Sequence, residues 1–203
     1  MVLSAGRPSA HRLDEYLQSA RLDIAPERVE IVLDLTPGIG VARALVTALD
    51  RDLDGSISDR EARVFAEDVL RATALDADGM PLRVALVDSA SPAIDALLRG
   101  DGIVRIRAAA PIPPLAAGLH HLRFRNLYGG DAGVYLANAL VPASDRITVV
   151  AQRRDVDQRD LTVEYNLRAE PGARIRQGVP LGVAGMLVVG LQVWWRRRHR
   201  ERA

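Results

Sequence analysis

Alternation of apolar and polar residues constrains this chain more than any other feature. Arg28 to Leu35 (RVEIVLDL), Pro81 to Val87 (PLRVALV), Gly102 to Ala108 (GIVRIRA), His120 to Phe124, Val134 to Leu140, Arg146 to Val150 and Asp160 to Leu167 all follow it. Successive residues of a strand point to opposite faces, so a period of two buries one face and wets the other. The separators are turn formers: Asp78-Gly79, Arg99-Gly100-Asp101-Gly102, Gly129-Gly130-Asp131 and the prolines Pro111, Pro113 and Pro114. The expectation is a mainly β fold, an antiparallel sandwich-like arrangement. With 203 residues and 48% hydrophobic content the chain can core one ordinary domain.

One stretch breaks the alternation. Val41, Ala44, Leu45, Ala48 and Leu49 fall at helical spacing, as do Ala62, Phe65, Ala66 and Val69. Between the two predicted helices lies DRDLDGSISDRE, residues 50–61. Calcium takes six to eight oxygen ligands, and a short loop can wrap it only if acidic side chains alternate inward and the backbone bends sharply midway. Asp50, Asp52 and Asp54 stand at positions one, three and five, and Gly55 at position six supplies the positive φ of the bend. Ser56 would offer its carbonyl, Ser58 would act directly or through water, and Glu61 would close the site with two oxygens from the first turn of the second helix. Ile57 is the apolar residue that packs the loop inward. The pattern D-x-[DN]-x-[DN]-G-x5-E resembles the EF-hand, here spanning residues 41–72 as a helix-loop-helix insertion. That resemblance implies a calcium ion on Asp50, Asp52, Asp54, Ser56, Ser58 and Glu61. The competing reading is a solvated turn with helix caps, which explains the Asp and Ser residues but demands neither Gly55 nor Glu61.

A second Asp-rich stretch, Leu75 to Gly79, lacks a closing glutamate, and Pro81 stiffens the chain just beyond it, so it is expected to be a hairpin turn. The EF-hand-like loop therefore stands unpaired, unlike the family's usual tandem arrangement. Weak binding is expected, with a dissociation constant on the order of 10⁻⁴ to 10⁻³ M as in extracellular modules.

The segment Gly178 to Trp195 carries no charge and only Gln192 as a strongly polar residue, long enough to span a bilayer. Trp194 and Trp195 suit the interface, and five arginines lie within residues 196–203, against Arg174 and Arg176 before the span. Positive charge stays inside, which places the C-terminus in the cytoplasm and the rest outside. Residues 1–10 show no apolar signal core and are read as a signal remnant or disordered start. A tail anchor with a cytosolic domain is the alternative. The expected organisation is then 11–168 extracytoplasmic, 169–177 linker, 178–195 transmembrane helix and 196–203 basic cytoplasmic tail.

Other chemistry is sparse. A net charge of +1 gives no field for nucleic acid, and 4% aromatic content gives no stacking platform. Without cysteine there are no disulfides or thiolate sites. His120 and His121 are adjacent on a strand, so they point apart and cannot chelate one ion together. If a signal were removed after Ala10, the free amine and the imidazole of His11 would form a small chelate suited to copper or nickel, and a plain surface histidine is the alternative. The arginines of RFR (123–125) and QRRD (152–155) are read as solvated strand faces paired with Asp155, Asp157 and Asp160, with an anion patch as the alternative. No nucleophile elbow, phosphate loop or HExxH is present, and no enzyme activity is expected.

AHRLDEYLQ, RVEIVLDLTPG, the EF-hand-like insertion and NALVP (Asn138 to Pro142) together resemble the extracytoplasmic domain of bacterial membrane proteins related to HupE/UreJ-type and other nickel/cobalt transporters. The resemblance implies an envelope domain and, as one option, an accessory role in nickel, cobalt or copper uptake. It does not carry transport itself, since those transporters have several membrane helices. A third function is a calcium-responsive interaction module that opens to expose Phe65 and Val69.

Overall fold

The computed structural model describes residues 14–130 and 133–170. Strands β1 (Tyr16–Ile24) and β2 (Arg28–Pro37) form a long antiparallel hairpin, succeeded by helices α1 (Ile39–Leu49) and α2 (Asp59–Arg71). Then come β3 (Thr73–Ala77), β4 (Met80–Pro81), β5 (Ala85–Ala90), the short α3 (Ile94–Leu98), β6 (Val104–Pro111), β7 (Gly118–Asn126), β8 (Gly133–Ala139), β9 (Ile147–Arg154) and β10 (Asp160–Leu167). They build two five-stranded sheets, β5-β6-β2-β1-β8 and β4-β3-β7-β10-β9. The chain is mainly β.

Alternation sets the core. From the first sheet Leu22, Ile24, Val29, Ile31, Leu33, Leu35, Val104 and Ile106 turn inward, and from the second Leu122, Phe124, Leu161, Val163, Tyr165 and Leu167. These side chains belong to one buried cluster, which also takes in Leu45 and Leu49 of α1 and Phe65, Ala66, Val69 and Leu70 of α2. The helices that flank residues 50–58 are thus part of the same core. α2 packs against β5 and β3, and α1 against β2, α2 and α3.

Three features depart from the sequence expectation. The run Pro81 to Val87 is not one strand: β4 stops at Pro81, and after residues 82–84 the chain joins the other sheet as β5. Proline is tolerated here because β4 is an edge strand and its ring faces away from β3, and one further bond, Leu82 N–H to the Leu75 carbonyl at 2.8 Å, follows before the chain leaves the sheet. Strand β1 lies outside the runs that alternation picks out, because its inward position 18 is glutamine and its outward position 17 is leucine. Finally, β1 pairs β8 in parallel, with Leu17 opposite Val134 and Leu22 opposite Ala139, so the first sheet is mixed rather than purely antiparallel.

The inward Gln18 is satisfied at long range. Its Nε2 donates to the Tyr128 carbonyl at 2.8 Å, and its Oε1 accepts from Asn126 Nδ2 at 2.8 Å. Strand β8 ends the first sheet, and side chains from β9 cover its outer edge. Gln152 accepts from Ala139 N–H and donates to the Ala139 carbonyl, each at 3.0 Å, and Arg154 Nε donates to the Ala137 carbonyl at 2.7 Å. An edge strand closed in this way offers fewer free groups to a stray strand.

Among the described residues no helix is long and apolar enough to cross a membrane. The segment 178–195, the basic tail, most of the linker, residues 1–10 and His11 lie outside the described residues.

Candidate metal centre

Helix α1 runs to Leu49, and its last inward side chain draws Asp50 to the margin of the core, where it is only 5% exposed. Asp52 and Asp54 stand in solvent. One carboxylate oxygen from each of Asp50, Asp52 and Asp54 lies within 4.8 Å of the others.

Backbone amides hold this geometry. Asp50 Oδ1 accepts from Asp54 N–H and Asp50 Oδ2 from Gly55 N–H, both at 3.1 Å. Asp52 Oδ1 accepts from Asp54 N–H at 3.2 Å. Asp54 Oδ1 accepts from the N–H and the hydroxyl of Ser56, each at 2.8 Å. Gly55 sits at φ +85°, the left-handed region that favours glycine, with open space where a Cβ would stand. Its requirement is therefore conformational, not steric. Leu53 also has a positive φ, 62°, and is 75% exposed, so a branched apolar residue holds a backbone conformation that it does not favour and gains no packing.

Glu61 has a different neighbourhood. Its Oε1 accepts from Arg51 N–H at 2.7 Å and Asp52 N–H at 3.3 Å, and its Oε2 from Ser58 N–H at 3.0 Å and the Ser58 hydroxyl at 2.7 Å. The Ser58 Oγ in turn accepts from Glu61 N–H, which completes a reciprocal cap on α2. Ser58 N–H and hydroxyl, then Arg51 N–H, hold the Glu61 carboxyl down to about 2, against the opposing effect of burial. Glu61 is not among the three clustered carboxylates: its two oxygens staple the start of the loop to the start of α2. Arg51 adds a second tie by pairing with Asp68, which also pairs with Arg71.

The arrangement offers oxygen donors only. Three carboxylates at this separation repel one another, and no lysine or arginine pairs with them among the described residues. A cleft of about 430 Å³ lined by Arg51, Asp52, Ser58, Arg60, Glu61 and Val64 opens beside the loop. A hard divalent cation fits this donor set better than a soft transition metal.

The other stretches with a sequence signal fall elsewhere. Asp78 and Gly79 form the two-residue turn between β3 and β4, both with positive φ (51° and 79°), as a tight hairpin requires. His120 is buried and His121 exposed, on opposite sides of β7, and both approach Asp78, at 2.7 and 3.9 Å. Arg123 and Arg125 pair with Asp160, and Arg153 with Glu164, across neighbouring strands. Asp34, between Arg21 and Arg105 on the first sheet, is a charged cluster that sequence reasoning misses. Burial raises its pKa, but the two guanidiniums outweigh burial and lower it. Its sequence signal, an acid at an outward strand position, is shared by Glu30 on the same strand and does not single it out. No family model, no curated protein and no solved structure matches this chain.

Proposed function

We propose that the chain is a membrane-anchored extracytoplasmic protein whose EF-hand-like loop 50–61 binds one calcium ion, which fixes α1 and α2 on the sheets. The observation that carries this reading is the convergence of Asp50, Asp52 and Asp54 oxygens within 4.8 Å, with no cationic partner among the described residues, on a loop bent at Gly55. In this reading the Ser56 carbonyl and Ser58, directly or through water, add oxygens, and Glu61 exchanges part of its hold on the amides for the ion. Neutralising the cluster removes its self-repulsion.

A structural role is favoured over a responsive module because Phe65 and Val69 are 1% and 0% exposed within the shared core. An opening that bared them would dismantle that core. The membrane anchor rests on the uncharged run Gly178 to Trp195 and the arginines behind it.

The test is a calorimetric calcium titration of the full chain in detergent micelles, beside Asp50→Ala and Glu61→Gln. One ion per chain, lost in both variants and not displaced by nickel or copper, is the expected result. Absence of heat in the parent protein would reduce the loop to a capped turn.

A further inference from the structure

His120 is placed where only its charged form satisfies its surroundings. Its Nδ1 lies 2.7 Å from Asp78 Oδ2 and its Nε2 lies 2.8 Å from the Ala116 carbonyl oxygen. A carboxylate and a carbonyl both only accept, so each ring nitrogen must donate, and a neutral imidazole has one N–H to give. The ring is buried, and Tyr165 of β10 lies alongside at 5.7 Å between ring centroids.

The two acceptors belong to separate parts of the fold. Asp78 is in the β3–β4 turn, at the end of β3. Ala116 is in the segment 112–117 that carries the chain from β6 in the first sheet to β7 in the second. Asp78 is further fixed by His121 N–H, which donates to Oδ1 at 2.8 Å, while Asp78 N–H donates to the His121 carbonyl at 2.8 Å. We infer that His120 is a protonated clamp joining the β3–β4 turn to the inter-sheet crossover, and that its deprotonation releases the crossover.

The ionisable groups around it are few. Asp78 faces it from the hairpin, His121 is its neighbour on β7, and Tyr165 stands opposite on β10. Asp76 lies two residues before Asp78, and Glu164 is opposite His121 on the outer face. The crossover 112–117 carries no ionisable side chain. Burial works against the charge on His120, but the hydrogen bonds to Asp78 and Ala116 outweigh it and raise the pKa above the ordinary value. A group raised on folding stabilises the protein fully below its unfolded value of about 6.5, and that stability is lost as pH rises through the folded value. When His120 loses a proton, one acceptor loses its donor. The neutral Ala116 carbonyl is the weaker partner, so the crossover lets go first.

The experiment is nitrogen NMR of the histidine rings in the full chain, with the carbonyl-carbon shift of Ala116, from pH 5 to 9. Both His120 nitrogens should carry protons at pH 6, with a midpoint above about 6.5. The carbonyl-carbon shift of Ala116 should move with the same midpoint, as its hydrogen bond from His120 is lost. Asp78→Asn keeps an acceptor but not the charge, and should move the midpoint down. His120→Gln should remove the pH dependence of the Ala116 carbonyl shift. A single protonated nitrogen at pH 6, or a midpoint that Asp78→Asn leaves in place, would overturn the clamp, whether or not His120→Gln folds.

Discussion

Two aspartate-rich stretches lie close together in the chain, and the structure treats them in opposite ways. In residues 50–54 three carboxylates converge with backbone amides as their partners, and no cationic side chain among the described residues pairs with them. In the turn at residues 75–79 a single carboxylate, Asp78, meets His120 and His121. The second group has imidazole partners, whereas the first has no cationic partner among the described residues, and in the proposed function a calcium ion supplies it. Aspartate content alone does not distinguish the two stretches, but the charge of the immediate neighbours does.

That contrast can be broken most forcefully at the histidine-paired group. Asp78→Ala leaves a buried imidazolium nitrogen and the His121 N–H without an acceptor, and should destabilise the protein by about 2–3 kcal/mol, measured by urea unfolding near pH 6. Calcium should have no effect on that loss. A smaller loss is expected at the staple. Glu61→Gln should lower the melting temperature even without calcium, because Arg51, Asp52 and Ser58 lose a charged acceptor. The parent protein carries a matching pH signature. Glu61 is held down to about 2, below the ordinary value, so its contribution is present above about pH 4.3 and is lost as pH falls toward 2. Unfolding curves of the parent and Glu61→Gln should therefore converge across that window.

The clustered group should respond to cation. With a dissociation constant of about 0.1 mM, about 1 mM calcium would stabilise the fold by about 1.4 kcal/mol. Thermal melts should show this shift in the parent and not in Asp50→Ala or Asp54→Ala. The smallest effect concerns Leu53, which tolerates its left-handed backbone poorly. Leu53→Asn should stabilise the calcium-free protein by less than about 1 kcal/mol, since asparagine adopts that conformation more readily and no packing is lost. A destabilised variant would show that the leucine side chain has a contact that matters.

Much of the fold is legible in the sequence wherever one face of a strand is uniformly apolar. β2, β6, β7 and β10 emerge directly from their alternation. β1 is hidden because its inward Gln18 finds partners in Asn126 and Tyr128, which local periodicity cannot reveal. The split of Pro81 to Val87 is masked, because the alternation runs on unbroken through residues that pass from one sheet to the other. At the site, spacing identifies the three clustered aspartates and the bend at Gly55. It does not reveal that Glu61 holds backbone amides, because the donors are main-chain groups that any sequence carries.

The parallel seat of β1 beside β8 has a kinetic consequence. Gln18 meets partners 108 and 110 residues further along the chain, and Leu17 sits beside Val134. Contacts of such separation place the domain among high contact-order folds, which close in milliseconds to seconds rather than microseconds. β1 is made well before β8, and until β8 arrives the backbone edge of β1 stays open to other chains.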